Sequence, residues 1–114
     1  MERLEATALP LPRASAFTIH PAVFIDNAAS RRYTVVEVNA RDRAALLSGL
    51  AGALYEGRAA VHSAHIATYG ERAVDVFYLT DAATGDKIEA PARLKALHAR
   101  LLKAAGGAAE RVAA

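Results

Sequence analysis

The stretch that most constrains the fold is residues 33–57, YTVVEVNARDRAALLSGLAGALYEG, within which one hydrophobic period gives way to another. Tyr33, Thr34, Val35, Val36 and Val38 form a β-branched and aromatic run of the kind that packs on a pleated surface. Asn39 and Ala40 are expected to end that strand. Asp42 then stands where a helix N-cap belongs, because a carboxylate accepts from the first-turn N–H groups and complements the positive end of the dipole. Leu46, Leu47, Leu50, Ala51 and Leu54 recur at steps of three and four, which predicts a helix with one apolar stripe, and Gly57 is expected to supply a left-handed stop. The turn at 39–43 is thereby a short polar loop at a helix N-terminus, where backbone donors converge. An anionic or zwitterionic group could bind there, and a capped turn with no ligand accounts for the same residues equally well.

The flanking sequence supplies the rest of a single small domain, for which 114 residues are enough. Residues 17–25, FTIHPAVFI, read as a strand, but Pro21 cannot donate to a ladder, so this should be an edge strand broken near its middle. Residues 26–30 form a turn rich in side chains that bond their own backbone. Strands at 61–68 and 73–80 should form a hairpin with a four-residue loop, Tyr69-Gly70-Glu71-Arg72. A second helix follows, with Pro91 in its first turn, an apolar stripe of Leu94, Leu97, Leu101 and Leu102, and Gly106-Gly107 at its end. The order is ββαββα, an α+β fold with an antiparallel sheet of about four strands and two helices on one face. A ferredoxin-like split βαβ unit closes with a strand after its second helix. None is available here, so 17–25 is expected to occupy the vacant edge. Residues 1–15 read as a linker, 16–105 as the domain and 106–114 as a flexible tail.

In the strand at 73–80, Val74, Val76 and Tyr78 lie on one face, and Asp75, Phe77 and Leu79 on the other. Both faces are apolar. The helices can cover one, and the other predicts a second domain or a second copy packed against it.

Composition excludes several classes. A hydrophobic fraction of 54% rules out a disordered chain, and a formal charge of +2, with basic and acidic residues interspersed, is no nucleic-acid footprint. The absence of cysteine removes disulfide scaffolds, thiolate metal sites and cysteine nucleophiles. Neither a signal peptide nor a membrane span is legible, which points to the cytoplasm.

Catalytic chemistry is not legible either. His62 and His65, three apart on a strand, are expected to point to opposite faces, so they cannot share a metal. His20 and His98 have no acidic or histidine partner nearby in sequence and read as structural or solvent-facing. Asp75 sits among apolar neighbours, which is costly unless it is exposed at an edge or paired, with Arg41 or Arg43 as the candidate partner. The candidate ligand site is the loop, where Asp42 could attract an ammonium group and Asn39 could match an amide. The segment His62-Ser63-Ala64-His65 could meet such a ligand only across an interface between two domains.

Three segments carry a resemblance: YTVVEVNARDRAALLSGLAGALYE, VHSAHIATYGERAVDVFYLTD and GDKIEAPARLKALHARLL. They are similar to the C-terminal ACT domain of the bacterial bifunctional uridylyltransferase and uridylyl-removing enzymes that act on the nitrogen-regulatory PII protein. The similarity begins at FTIHPAVFIDNAAS and covers roughly residues 16–104. It implies a regulatory domain that works in pairs, as a homodimer or a tandem copy, and responds to glutamine or another amino acid. It also implies contact with PII through the full-length enzyme. Mg2+ and UTP would belong to catalytic domains N-terminal to this region, so no cofactor and no catalytic residue is expected here. By this resemblance the ligand residues are Asn39, Arg41, Asp42, Arg43, Ala44, Ala45 and Leu46, with His62, Ser63 and His65. The family loop reads Arg-Asp-Arg-Pro-Gly-Leu-Leu, whereas here Ala44 and Ala45 replace proline and glycine, which narrows the room for a ligand. In a domain that pairs without binding a ligand, the two alanines would simply extend the helix.

Overall fold

In a computed structural model, residues 19–106 are described. The expected linker, the start of the 17–25 strand and the tail from residue 107 lie outside them. The elements are β1 (Ala22–Asp26), β2 (Thr34–Arg41), α1 (Leu46–Glu56), β3 (Ala59–Tyr69), β4 (Arg72–Asp81) and α2 (Pro91–Ala104). The four strands form one antiparallel sheet in the order β1-β2-β4-β3. The expected element order holds, and the first strand takes the edge beside β2. That strand starts only after Pro21, where the chain regains a full set of backbone donors.

Alternation along β2 and β4 sorts the two faces. Val36, Val38 and Ala40 of β2 and Ala73, Phe77 and Leu79 of β4 point to one side and are buried. Leu46, Leu50, Ala53 and Leu54 of α1, with Leu97 and Leu101 of α2, complete a single core on that side. Leu47 and Ala51, expected in the stripe, are exposed, and Ala53, not expected in it, is buried. The other face carries Val35, Glu37 and Asn39 of β2 with Val74, Val76 and Tyr78 of β4, half-buried by their own neighbours.

Polar ties hold the layers together. Thr34 Oγ1 is buried; it donates to Asn27 Oδ1 at 2.7 Å and accepts from the Ile88 amide at 2.9 Å, while Asn27 Nδ2 donates to Ile88 O at 2.8 Å. This clamp joins the β1–β2 turn to the approach of α2. His98 bonds the Val23 carbonyl at 2.9 Å, so it is structural as expected. Arg93 caps the far end of α1, donating to Gly57 O at 2.9 Å and pairing with Asp81.

Several boundaries differ from the sequence reading. Strand β2 does not stop at Asn39, because Ala40 and Arg41 pair in register with Ala73 and Arg72. The β3–β4 hairpin loop is Gly70-Glu71 alone, with Gly70 at φ 63° and Tyr69 and Arg72 paired within the ladder. Gly57 has φ −80°, and the left-handed residue after α1 is Arg58 at φ 59°. Gly57 matters for a different reason: a Cβ there would stand 2.9 Å from Leu97 Cδ1.

Candidate functional site

The loop joining β2 to α1 spans residues 42–45 and is exposed. Asp42 is not the cap of α1. Its amide donates to Glu71 O at 2.7 Å, which ties the loop to the β3–β4 turn, and the N-cap is Ala45, at φ −94° and ψ 2°, with no side-chain hydrogen bond. Ala44 and Ala45 therefore do not extend the helix, which begins at Leu46. No acidic side chain occupies the first turn of α1. The positive end of this helix is thus left without a protein counter-charge from its own first turn.

The cationic side chains of the loop region are engaged elsewhere. Arg41 pairs with Glu71 at 2.6 Å on an exposed surface, and Arg43 donates to Ala104 O at 2.7 Å, holding the loop against the end of α2. Neither reaches Asp75. That residue is 1% exposed on the helix-facing side of β4, and its Oδ1 has no hydrogen-bond partner. Both expectations for it, an arginine partner or edge exposure, are thus corrected: β4 is an interior strand and the arginines lie outward. Burial pushes the Asp75 carboxyl above its ordinary range, and the nearby charge of Asp42 pushes the same way.

The residues nominated from sequence do not form one cluster. Asn39 and Arg41 belong to β2 on the open face of the sheet, with Asn39 Nδ2 bound to Glu37 Oε2 at 2.8 Å. Asp42, Arg43, Ala44 and Ala45 form the loop, and Leu46 is buried in the core at 3% exposure, out of reach of a ligand. His62, Ser63 and His65 lie on β3, separated from β2 by β4, a span of about 10 Å. Strand β3 is irregular: a bulge between Val61 and Ser63 inserts His62 as an extra residue. His62 and His65 consequently share a face instead of opposing each other. His62 lies 5.0 Å from the Tyr33 ring and bonds Thr80 Oγ1 at 2.7 Å, while His65 lies edge-on to Tyr78 at 5.6 Å. Tyr33 and Tyr78 meet at 6.1 Å and complete an aromatic group that nothing in the sequence pattern announces. No group of three metal-ligating side chains occurs among the described residues.

Two surface clefts, of about 250 and 410 Å³, lie against α1 and α2 and not at the loop. Two of the arginines that line them have structural partners, Arg93 on the end of α1 and Arg100 on Glu56 at 3.2 Å. Among the described residues, no helix is long and apolar enough to cross a membrane.

Strand β3 has one further property. It is eleven residues long, AAVHSAHIATY, stands at an edge, and contains neither proline nor a lysine, arginine or carboxylate. Past Ala59, which is buried in the core, its helix-side residues are uncovered, with Val61 47% and Ile66 49% exposed. Edges of this length are usually blunted by charge, proline or a covering element. The opposite edge, β1, is five residues long and follows Pro21.

The chain is 60% identical over 103 residues to the bifunctional uridylyltransferase/uridylyl-removing enzyme of Novosphingobium aromaticivorans, a match covering 90% of this chain and 11% of that enzyme. The enzyme of the same name from Zymomonas mobilis is 58% identical over 96 residues, 84% of this chain and 10% of its own. That of Erythrobacter litoralis is 52% identical over 106 residues, 93% and 11% respectively. The chain thus spans about a tenth of the length of the curated relatives it matches. No protein-family model matches it, and no solved structure matches it.

Proposed function

We propose that this chain, homologous to a one-tenth-length segment of bifunctional uridylyltransferase/uridylyl-removing enzymes, is the C-terminal regulatory ACT domain of such an enzyme and senses an amino acid, glutamine in the first instance. The observation that carries the reading is 52–60% identity across nearly the whole chain to enzymes of that name. The domain extends over 16–105, with 1–15 as its linker. Its ligand site is the loop at 42–45, where α1 opens without a side-chain cap. Its partner is another ACT domain, and it reaches PII through the full-length enzyme, whose Mg2+ and UTP chemistry belongs to other domains. The four-stranded antiparallel sheet with two helices on one face is compatible with a ferredoxin-like fold and supports the assignment.

A ligand that binds only the folded state raises stability by mass action, about 2.7 kcal/mol at a hundredfold excess over its dissociation constant. The test is a thermal-shift panel of the common amino acids at millimolar concentration. A rise with glutamine is expected, and a flat panel from a confirmed dimer refutes sensing by this domain.

The uncharged edge strand β3 favours a second reading, an ACT pairing module that binds no ligand. It gives a concentration-dependent dimer indifferent to amino acids, and a strictly monomeric domain in sedimentation refutes it.

A further inference from the structure

Among the described residues that are buried, Asp75 is the one whose side chain can carry a formal charge, and its Oδ1 makes no hydrogen bond within the fold. Its neighbours in register are Val38 on β2, 1% exposed, and Ile66 on β3. Along its own strand Ala73 and Phe77 flank it on the same face, and both are buried. Oδ1 is buried and has no hydrogen-bond partner. A carboxylate taken out of water without a partner is among the more costly features a core can contain, and an uncharged residue of similar size would avoid that cost. Such an orphan at an otherwise well-packed position is typical of groups kept for a function and not for the fold.

Its surroundings say what kind of function. Asp75 lies on the side of the sheet that α1 covers, and its register partner Val38 belongs to β2, the strand that runs into the loop proposed as the ligand site. The charge of Asp42 in that loop acts on the carboxyl in the same direction as its burial. On the other flank the cover is thin. Ile66, its register partner on the edge strand β3, is 49% exposed, so the residue beside Asp75 on that flank stands at the uncovered margin of the sheet. The first turn of α1 has no side-chain cap, and beyond Leu46 N–H, which donates to Arg43 O at 3.1 Å, its N–H groups suit a carboxylate; on the same side of the sheet Asp75 offers a buried acceptor lacking a donor.

We infer that Asp75 is the acceptor for the ammonium group of an α-amino acid whose carboxylate rests on the N-terminal turn of α1, the ligand entering past Ile66. This inference rests on the amino-acid-sensing reading above and adds to it the residue that distinguishes an amino acid from a plain carboxylic acid. A charge-assisted hydrogen bond in a water-poor site makes that distinction strongly, because the analogue without the amine leaves the carboxyl unpaired.

The test uses the 114-residue chain, L-glutamine and glutaramate, the same molecule without its amino group. Calorimetry on the wild type should show glutamine binding at least tenfold more tightly than glutaramate. Asp75→Asn, isosteric and uncharged, should be more stable than wild type when unliganded near neutral pH, bind glutamine at least tenfold more weakly, and separate the two probes by less than about threefold. Equal binding of both probes by the wild type overturns the inference without reference to any variant. So does an Asp75→Asn protein that keeps both affinity and discrimination, and in that case sensing at the loop survives. A wild type that responds to no amino acid refutes the sensing reading and this inference together.

Discussion

Replacing Thr34 with valine tests whether the clamp between the β1–β2 turn and the approach to α2 holds these layers together. The substitution keeps the branched shape at a fully buried position and deletes Oγ1, which accepts from Ile88 N at 2.9 Å and donates to Asn27 Oδ1 at 2.7 Å. Ile88 is itself 2% exposed, so its amide is stranded without water, a cost of about 1–3 kcal/mol. The Asn27 amide is only part-buried and can turn to solvent, which adds about 0.5 kcal/mol at most. The added methyl offsets up to about 0.8 kcal/mol. The net expectation is a loss of about 2 kcal/mol. In urea, with a slope of about 1.5 kcal/mol per molar, the midpoint should fall by roughly 1 M with the slope unchanged. Protein concentration must be fixed throughout, since association would shift the midpoint by itself. Thr34→Ser keeps the hydroxyl and loses one buried methyl, about 1 kcal/mol. A valine variant within about 0.5 kcal/mol of wild type, or a serine variant less stable than the valine one, refutes the account of the clamp.

Gly57→Ala should cost about 1–2 kcal/mol in the same assay, because its Cβ would stand 2.9 Å from Leu97 Cδ1 and 3.3 Å from Ala53 O at a φ that itself carries no strain; unchanged stability refutes the packing account. The Arg93 hydrogen bond, and after it the Ala83 amide, hold the Asp81 carboxyl below its ordinary value. Its contribution to stability is therefore present above the unfolded-state pKa and lost as pH falls through the lower folded one, so Asp81→Asn should flatten the stability profile below about pH 4, and a parallel profile refutes the assignment. Ile66→Lys places a charge on the uncovered side of β3 and should abolish association in sedimentation while leaving monomer stability within about 0.5 kcal/mol. A variant that still dimerises removes β3 from the interface.

The elements were legible because their causes are local. The β-branched run at 34–38 and the three- and four-residue leucine spacing identify β2 and α1 before any partner is known. The ends were not, because their causes are distant. Ala40 and Arg41 stay in strand conformation through pairing with Ala73 and Arg72, and Asp42 is drawn away from capping by Glu71 O across the sheet. The reading of Gly57 erred for a similar reason: its lack of a side chain answers Leu97 on another helix, and Arg58 takes the positive φ. The bulge at His62 escaped a period-two count, since one inserted residue reverses every face assignment before it relative to those after it. Asp75 was placed correctly beside Phe77 and Leu79, yet only the sheet order, with β3 outside β4, makes its burial certain.

Alternation along the paired strands divides the nominated residues between two surfaces. The N–H groups at the start of α1 lie on the helix side of the sheet, the side that also holds Asp75. Asn39, His65 and the Tyr33–Tyr78 pair lie on the opposite face, with a layer of backbone between. A small zwitterion seated on α1 cannot pass through a hydrogen-bonded sheet to meet His65 of its own chain. The two sets of residues therefore serve different surfaces, the loop and Asp75 for a ligand, and the imidazole and tyrosine group for whatever covers the open face. His65→Ala should accordingly leave glutamine affinity within about twofold of wild type, whereas Asp75→Asn should not. A tenfold loss at His65 would mean that the ligand is held between two chains, with the imidazole supplied across the interface and not through the sheet.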